Sequence, residues 1–196
     1  MPVTTQVFKA KVCMVGDTGV GKTSLVGRYV LDQFSDTYLS TLGTKVMKKQ
    51  MSYNLPRDQR IDLMLTVWDI MGERELLGVF KESYFNSAKG IVAVCDLTHE
   101  DTLTALASWL LAATKVVGSV PTIIAANKLD LVPPGKVDRL AEQLGSFARE
   151  HGTSSVLTSA KTGENVELGF RKLGVSIVGD ILTRGQKDES EVLTEI

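Results

Sequence analysis

No stretch of this sequence approaches the ~20 consecutive apolar residues that a membrane-spanning helix needs. Nor does it open with a positively charged segment followed by the apolar run of a secretory leader. A soluble, cytoplasmic protein is the expectation. Cysteine is scarce, with only Cys13 and Cys95. Both lie inside apolar runs and lack metal-ligand spacing, which suits buried thiols in a reducing compartment better than a disulfide. The two histidines, His99 and His151, stand alone and read as surface or helix-end residues. Neither sign of charge dominates: 22 Lys and Arg against 23 Asp and Glu leave a formal charge of −1, so no basic field exists to hold nucleic acid. No cysteine stands in Leu193-Thr194-Glu195-Ile196 and the second residue is Pro2. Neither prenylation nor N-myristoylation, hence no lipid anchor, is therefore expected. There is also no repeat and no coiled-coil period, and a monomer is expected.

What is present fits one domain, since 196 residues can bury a substantial core without staples. Strand-like apolar runs are expected at Phe8–Val15, Val46–Asn54, Ile61–Trp68, Gly90–Cys95, Thr122–Ala126 and Ser155–Leu157. Helical patterns are expected over Gly21–Asp32, Glu73–Ser83, Asp101–Val117, Lys136–His151 and Val166–Leu182. Such alternation predicts an α/β fold with a mostly parallel sheet between two helical layers. Only Leu55–Arg60 separates the second and third strands, which predicts a hairpin and one antiparallel edge strand. The expected organisation is a short extension at 1–7, a domain over 8–183 and an acidic, disordered tail over 184–196.

Directly after the apolar run Val12–Val15 comes Gly16-Asp17-Thr18-Gly19-Val20-Gly21-Lys22-Thr23-Ser24, matching G-x-x-x-x-G-K-[ST] at a strand-to-helix turn. Glycines there allow backbone N–H groups to surround a triphosphate, Lys22 neutralises its β and γ oxygens, and the Thr23 hydroxyl can ligate Mg²⁺. The helix N-terminus adds its positive dipole end. A bare Gly-rich turn is the alternative, and the strand-to-helix context argues against it.

Three more elements close later strands. Trp68-Asp69-Ile70-Met71-Gly72-Glu73 places an Asp for Mg²⁺ and a Gly whose N–H can meet a γ-phosphate, although a lone Asp there is more often a turn former. Asn127-Lys128-Leu129-Asp130 ends the fifth strand, and its Asp carboxylate can accept the paired N–H groups of a guanine edge, which adenine lacks. In isolation that tetrapeptide reads as a helix cap and turn. Thr158-Ser159-Ala160-Lys161 ends the sixth, offering a backbone N–H to the base oxygen and a lysine stem to the ring.

These four elements in this order resemble the Ras-like small GTPases over essentially all of residues 8–183. The resemblance implies a three-layer phosphate-loop fold with five parallel strands and one antiparallel. It also implies GTP or GDP with Mg²⁺ as ligands, and a slow GTPase switch that speaks through two loops to effectors, exchange factors and activating proteins. Phe34, Tyr38 and Thr41 fall twelve, sixteen and nineteen residues after Lys22. There the family has its guanine-edge aromatic, its switch I tyrosine and its Mg²⁺-binding threonine. Thr41-Leu42-Gly43, Trp68 and Ser83-Tyr84-Phe85 look more like the Rab and Ran side of the family.

The chain departs from the family in switch II. Where members read W-D-T-A-G-Q-E, it reads Trp68-Asp69-Ile70-Met71-Gly72-Glu73-Arg74, so the water-orienting glutamine is Glu73. A glutamine both accepts and donates, whereas an ionised carboxylate only accepts and brings like charge beside the γ-phosphate. A constitutively GTP-bound adaptor with little turnover is therefore the alternative to a cycling switch.

Overall fold

The computed structural model describes residues 4–35, 43–56, 59–70 and 82–194, with side chains as far as Arg184. Its strands are β1 (Thr4–Val15), β2 (Thr44–Leu55), β3 (Gln59–Ile70), β4 (Ala88–Asp96), β5 (Thr122–Asn127) and β6 (Ser154–Leu157). The helices are α1 (Lys22–Leu31), α2 (Asp101–Val117), α3 (Val137–Glu150) and α4 (Val166–Thr194). Among the described residues the strands form one six-stranded sheet in the order β2-β3-β1-β4-β5-β6. Only the β2/β3 pair is antiparallel, as the hairpin reading requires; the pairs β1/β3, β1/β4, β4/β5 and β5/β6 are parallel.

Alternating side chains of β1 send Ala10, Val12 and Met14 to one face and Cys13 and Val15 to the other. The first set packs with Leu25, Val26 and Tyr29 of α1 and with Phe170, Leu173 and Ile177 of α4. Tyr29 stacks on Phe170 with ring centroids 3.8 Å apart. The second set joins Leu106, Trp109 and Ala113 of α2 and Leu144 and Ala148 of α3. Helices on both faces explain why β4 is buried along almost its whole length, apart from Lys89. Each fully buried Leu or Ile in these layers contributes about 1.5–3 kcal/mol.

Three boundaries differ from the sequence reading. β1 begins at Thr4 rather than Phe8, because Thr4–Val7 lie in register with Gln59–Asp62 of β3. Those four side chains are exposed, so no apolar run marks them, and the partner strand's backbone defines the extension. β2 and β3 lengthen for the same reason and leave only 56–58 between them. At the far end, α4 continues to Thr194 where a disordered tail was expected after Thr183. Gln186, Lys187, Glu189 and Glu191 all favour helix, although they supply no apolar stripe. The expected helix over Glu73–Ser83 lies outside the described residues except for its end, where 82–85 form a single helical turn. No helix among the described residues is long and apolar enough to cross a membrane.

Both cysteines are buried and free, and burial pushes each thiol up to about 12. His99 is exposed beside Asp96, and His151 closes α3, its Nδ1 2.9 Å from the Phe147 carbonyl.

Candidate functional site

The parallel strands β1, β4, β5 and β6 point their carboxyl ends at one edge of the sheet, the place where open α/β sheets bind ligands. At the end of β1 the chain turns through Gly16 (φ 134°), Gly19 (φ 83°) and Gly21 (φ 98°) before entering α1. A Cβ on Gly16 would lie 2.1 Å from the Val94 carbonyl oxygen, and one on Gly21 2.3 Å from Asn127 Nδ2. The loop therefore folds tightly against β4 and β5, the close backbone approach that a phosphate cradle requires. We expect Gly21→Ala to abolish nucleotide binding and to lower the melting temperature by several degrees, because strain at positive φ adds to the clash. Retention of nucleotide by that variant, measured by chromatography of the purified protein, would contradict the tight packing of the loop.

Lys22 is buried, and its Nζ donates to the carbonyls of Gly16 at 2.8 Å and Asp17 at 3.0 Å. Burial pulls its amine down to about 8, opposed by the charges of Asp69 and Asp17. One residue on, Thr23 Oγ1 donates to Asp69 Oδ2 at 2.6 Å. Asp69 is fully buried, and its other oxygen, Oδ1, has no hydrogen-bond partner among the described residues. Burial raises its carboxyl above the usual range, against the pull of Thr23, Lys22 and Lys45. A buried carboxylate oxygen without a partner costs free energy that a hard cation would recover, and a hydroxyl beside a carboxylate is the donor set Mg²⁺ takes. These residues therefore fit the metal expected from the sequence.

The base end is assembled from β5 and β6. Asn127 is buried and spans two loops, donating from Nδ2 to Val20 O at 3.0 Å and accepting at Oδ1 from the Ala160 N–H at 3.0 Å. Of the backbone N–H groups in Thr158–Lys161, one of which was expected to meet a base oxygen, that of Ala160 ties the two loops together in this structure. Lys128 adopts a left-handed backbone (φ 67°), and its Nζ lies 2.6 Å from Asp96 Oδ2. Burial would raise the Asp96 carboxyl, but bonds from Lys128 and Thr98 outweigh it and hold it low. Asp130 is exposed and accepts from Ser159 Oγ at 2.5 Å, while Lys161 is exposed.

The structure thus brings Gly16–Ser24, Asp69, Asn127–Asp130 and Ser159–Lys161 to one end of the sheet. Thr18 and Gly19 are exposed at the tip of the phosphate loop. Phe34, expected at the guanine edge, packs half-buried against the first core cluster. Tyr38, Thr41, Gly72 and Glu73 lie outside the described residues.

Sequence reasoning missed several residues that brace this site. Arg28 of α1 donates from Nε to Ala160 O at 2.9 Å and from Nη2 to Lys161 O at 2.8 Å, joining the phosphate helix to the base loop. Tyr84 donates its hydroxyl to Met14 O at 3.0 Å and Trp68 O at 2.5 Å, clamping the ends of β1 and β3. Trp109 of α2 donates from Nε1 to Asp17 Oδ1 at 2.8 Å. Each acts through a contact between residues far apart in the chain, for which no local motif exists.

Sheet, cradle and converging polar groups define a phosphate-loop protein that binds a nucleoside triphosphate. The model of the Ras family matches residues 11–178. Ras-related protein Rab-13 of Mesocricetus auratus is 33% identical over 169 residues, covering 86% of this chain and 79% of the relative. Ras-related protein Rab-1D of Dictyostelium discoideum is 31% identical over 189 residues, covering 94% of this chain and 89% of the relative. GTP-binding protein ypt4 of Schizosaccharomyces pombe is 31% identical over 179 residues, with 90% and 73% covered. The chain belongs to the Ras family and is similar to its Rab-type members. It is a GTP-binding molecular switch that hydrolyses GTP. Proteins of this family bind guanine nucleotide and Mg²⁺ and answer to effectors, exchange factors and activating proteins.

Proposed function

We propose that this chain performs the switch cycle with the residues gathered at the carboxyl edge of its sheet. Gly16–Ser24 holds the phosphates, with Lys22 against the β and γ oxygens. Thr23, Thr41 and Asp69 hold Mg²⁺. Asn127, Lys128 and Asp130 with Ser159, Ala160 and Lys161 hold guanine, while Phe34 and Tyr38 cover the nucleotide from switch I. The observation that carries this reading is the buried Asp69 carboxylate, bonded to Thr23 on one oxygen and without a partner among the described residues on the other. Mg²⁺ held by Thr23, Thr41 and Asp69 would supply positive charge that offsets the negative charge of the β- and γ-phosphates. Lys22 then faces the charge that builds on the transferring phosphoryl group, and its amine is already fixed by two carbonyls, so little reorganisation is needed. Thr41 and the Gly72 N–H follow the γ-phosphate, and its loss releases switch I, about 34–44, and switch II, about 69–83. Effectors, exchange factors and activating proteins read those two loops.

The working unit is one G domain over about 8–183, and two buried free thiols support a reducing, cytoplasmic setting. Glu73 takes the water-orienting position and can accept from water but cannot donate to phosphate, so intrinsic turnover is slow. Single-turnover hydrolysis of preloaded GTP with Mg²⁺ tests this on wild type and Glu73→Gln, with bound nucleotide identified at time zero. The expected result is conversion to GDP in both, faster by roughly tenfold in Glu73→Gln, the scale of one restored hydrogen bond in the transition state. Equal rates would remove Glu73 from the water-orienting role. Stable GTP with no turnover in either protein would overturn the hydrolytic cycle.

A further inference from the structure

We propose that Trp109 is a positioning residue for the phosphate loop, acting through Asp17. Trp109 lies in the middle of α2, is fully buried and packs in the second core layer with Leu106 and Ala113. Its ring is held on all sides by the helix–sheet interface. The one polar atom of that ring, Nε1, donates to Asp17 Oδ1 at 2.8 Å, across 92 positions of sequence.

Asp17 is the second residue of the phosphate loop, and its presence there demands a reason. A carboxylate beside a polyanion is a like charge at short range. The indole bond turns that carboxylate toward α2, on the second face of the sheet. The same residue offers its carbonyl to Lys22 Nζ at 3.0 Å, next to the Gly16 carbonyl at 2.8 Å. Asp17 therefore links a rigid post in the core to the amine that meets the phosphates. Its charge also helps keep Lys22 protonated against burial. Replacing the indole by phenyl removes the donor at the cost of a small cavity in the core layer, a cost the double-mutant cycle separates from the bond. Asp17 then loses its tie to the core post, which shifts both the carbonyl that seats Lys22 and a negative charge near the phosphates.

This inference rests on the phosphate-loop reading above. Its test is a double-mutant cycle on the full chain, with GDP dissociation as the readout and Lys22→Met as the control for the loop itself. Trp109→Phe and Asp17→Ala should each speed GDP release by about tenfold, the scale of one hydrogen bond to a charged group. The double variant should be no worse than either single one, because both remove the same bond. Asp17→Asn, which keeps an acceptor for the indole, should lose less than Asp17→Ala.

A spectroscopic readout separates positioning from packing. The chain has two tryptophans, so in Trp68→Phe the emission comes from Trp109 alone. That emission should shift when nucleotide and Mg²⁺ are released, and the shift should vanish in Trp68→Phe/Asp17→Ala. Additive losses in the cycle, or an emission that does not respond to nucleotide, would reduce Trp109 to a core residue and overturn the inference. If Trp109→Phe fails to fold, the Asp17 pair and the emission decide by themselves. Unchanged GDP affinity in Lys22→Met would instead bring down the phosphate-loop reading, an outcome distinct from an additive cycle.

Discussion

Asp130→Asn is expected to lower GTP affinity by roughly two to four orders of magnitude, because a site built to accept a paired N–H edge is left with a group that accepts poorly and donates where it should accept. Asp130 is well suited to such a test. Its Oδ1 accepts from Ser159 Oγ, and an asparagine can still accept that bond through its own oxygen, so the loop keeps its shape while the charge is lost. The substitution therefore isolates the carboxylate's role toward the base. Inosine nucleotides, which lack the 2-amino group, supply the internal control. Wild type should prefer GTP over ITP strongly, and in Asp130→Asn that preference should collapse, since ITP keeps only the N1–H of the pair and never made the 2-amino half of the interaction. Displacement titrations with GTP, ITP and ATP give all three affinities. Undiminished GTP affinity and undiminished discrimination against ATP would remove the guanine assignment from Asp130.

Lys22→Met is expected to cost GTP affinity at least about a hundredfold, since a charge-assisted contact to the β and γ oxygens is replaced by a thioether of similar length. The same residue supplies a pH signature. In the protein alone the amine titrates at about 8, lowered from 10.5 by burial. A triphosphate beside it favours the charged form and raises that value again. Binding at pH 9 should therefore take up close to one proton, while binding near pH 6.5 should take up none at Lys22. Titration calorimetry in buffers of different ionisation enthalpy measures this directly, and Lys22→Met should abolish the uptake. Uptake that persists in the variant would assign the proton to another group. For folding the sign also follows. Between about pH 8 and 10.5 the unfolded chain holds a proton that the folded protein has released, so this residue's contribution to stability rises with pH across that window.

Much of this protein was legible before any coordinates. The sheet topology followed from the order of strand-like and helix-like segments and from the short connection between the second and third strands. The chemistry of the site followed from motifs that are contiguous in sequence, because backbone cradles and strand-end turns are local structures. Lys22, Thr23, Asp69, Asn127 and Asp130 could be named for that reason. The ends of elements were less legible. β1 reaches back to Thr4 through exposed residues that only pairing with β3 makes a strand, and α4 runs on through a polar segment with no apolar stripe.

The sequence by itself determined the fold class and the family, and it named the groups proposed here to meet phosphate, cation and base, since each depends on residue type at fixed local spacing. Only the tertiary structure decided how those groups are held. Asn127 joins the phosphate loop to the base loop, Arg28 joins α1 to the base loop, Asp96 seats Lys128, and Trp109 seats Asp17. It also decided that the Ala160 N–H is engaged by Asn127 and that Phe34 rests on the core. These bonds join residues between 32 and 132 positions apart. A hydrogen bond reaches about 3 Å, and only packing of the sheet and its helices brings such distant partners that close.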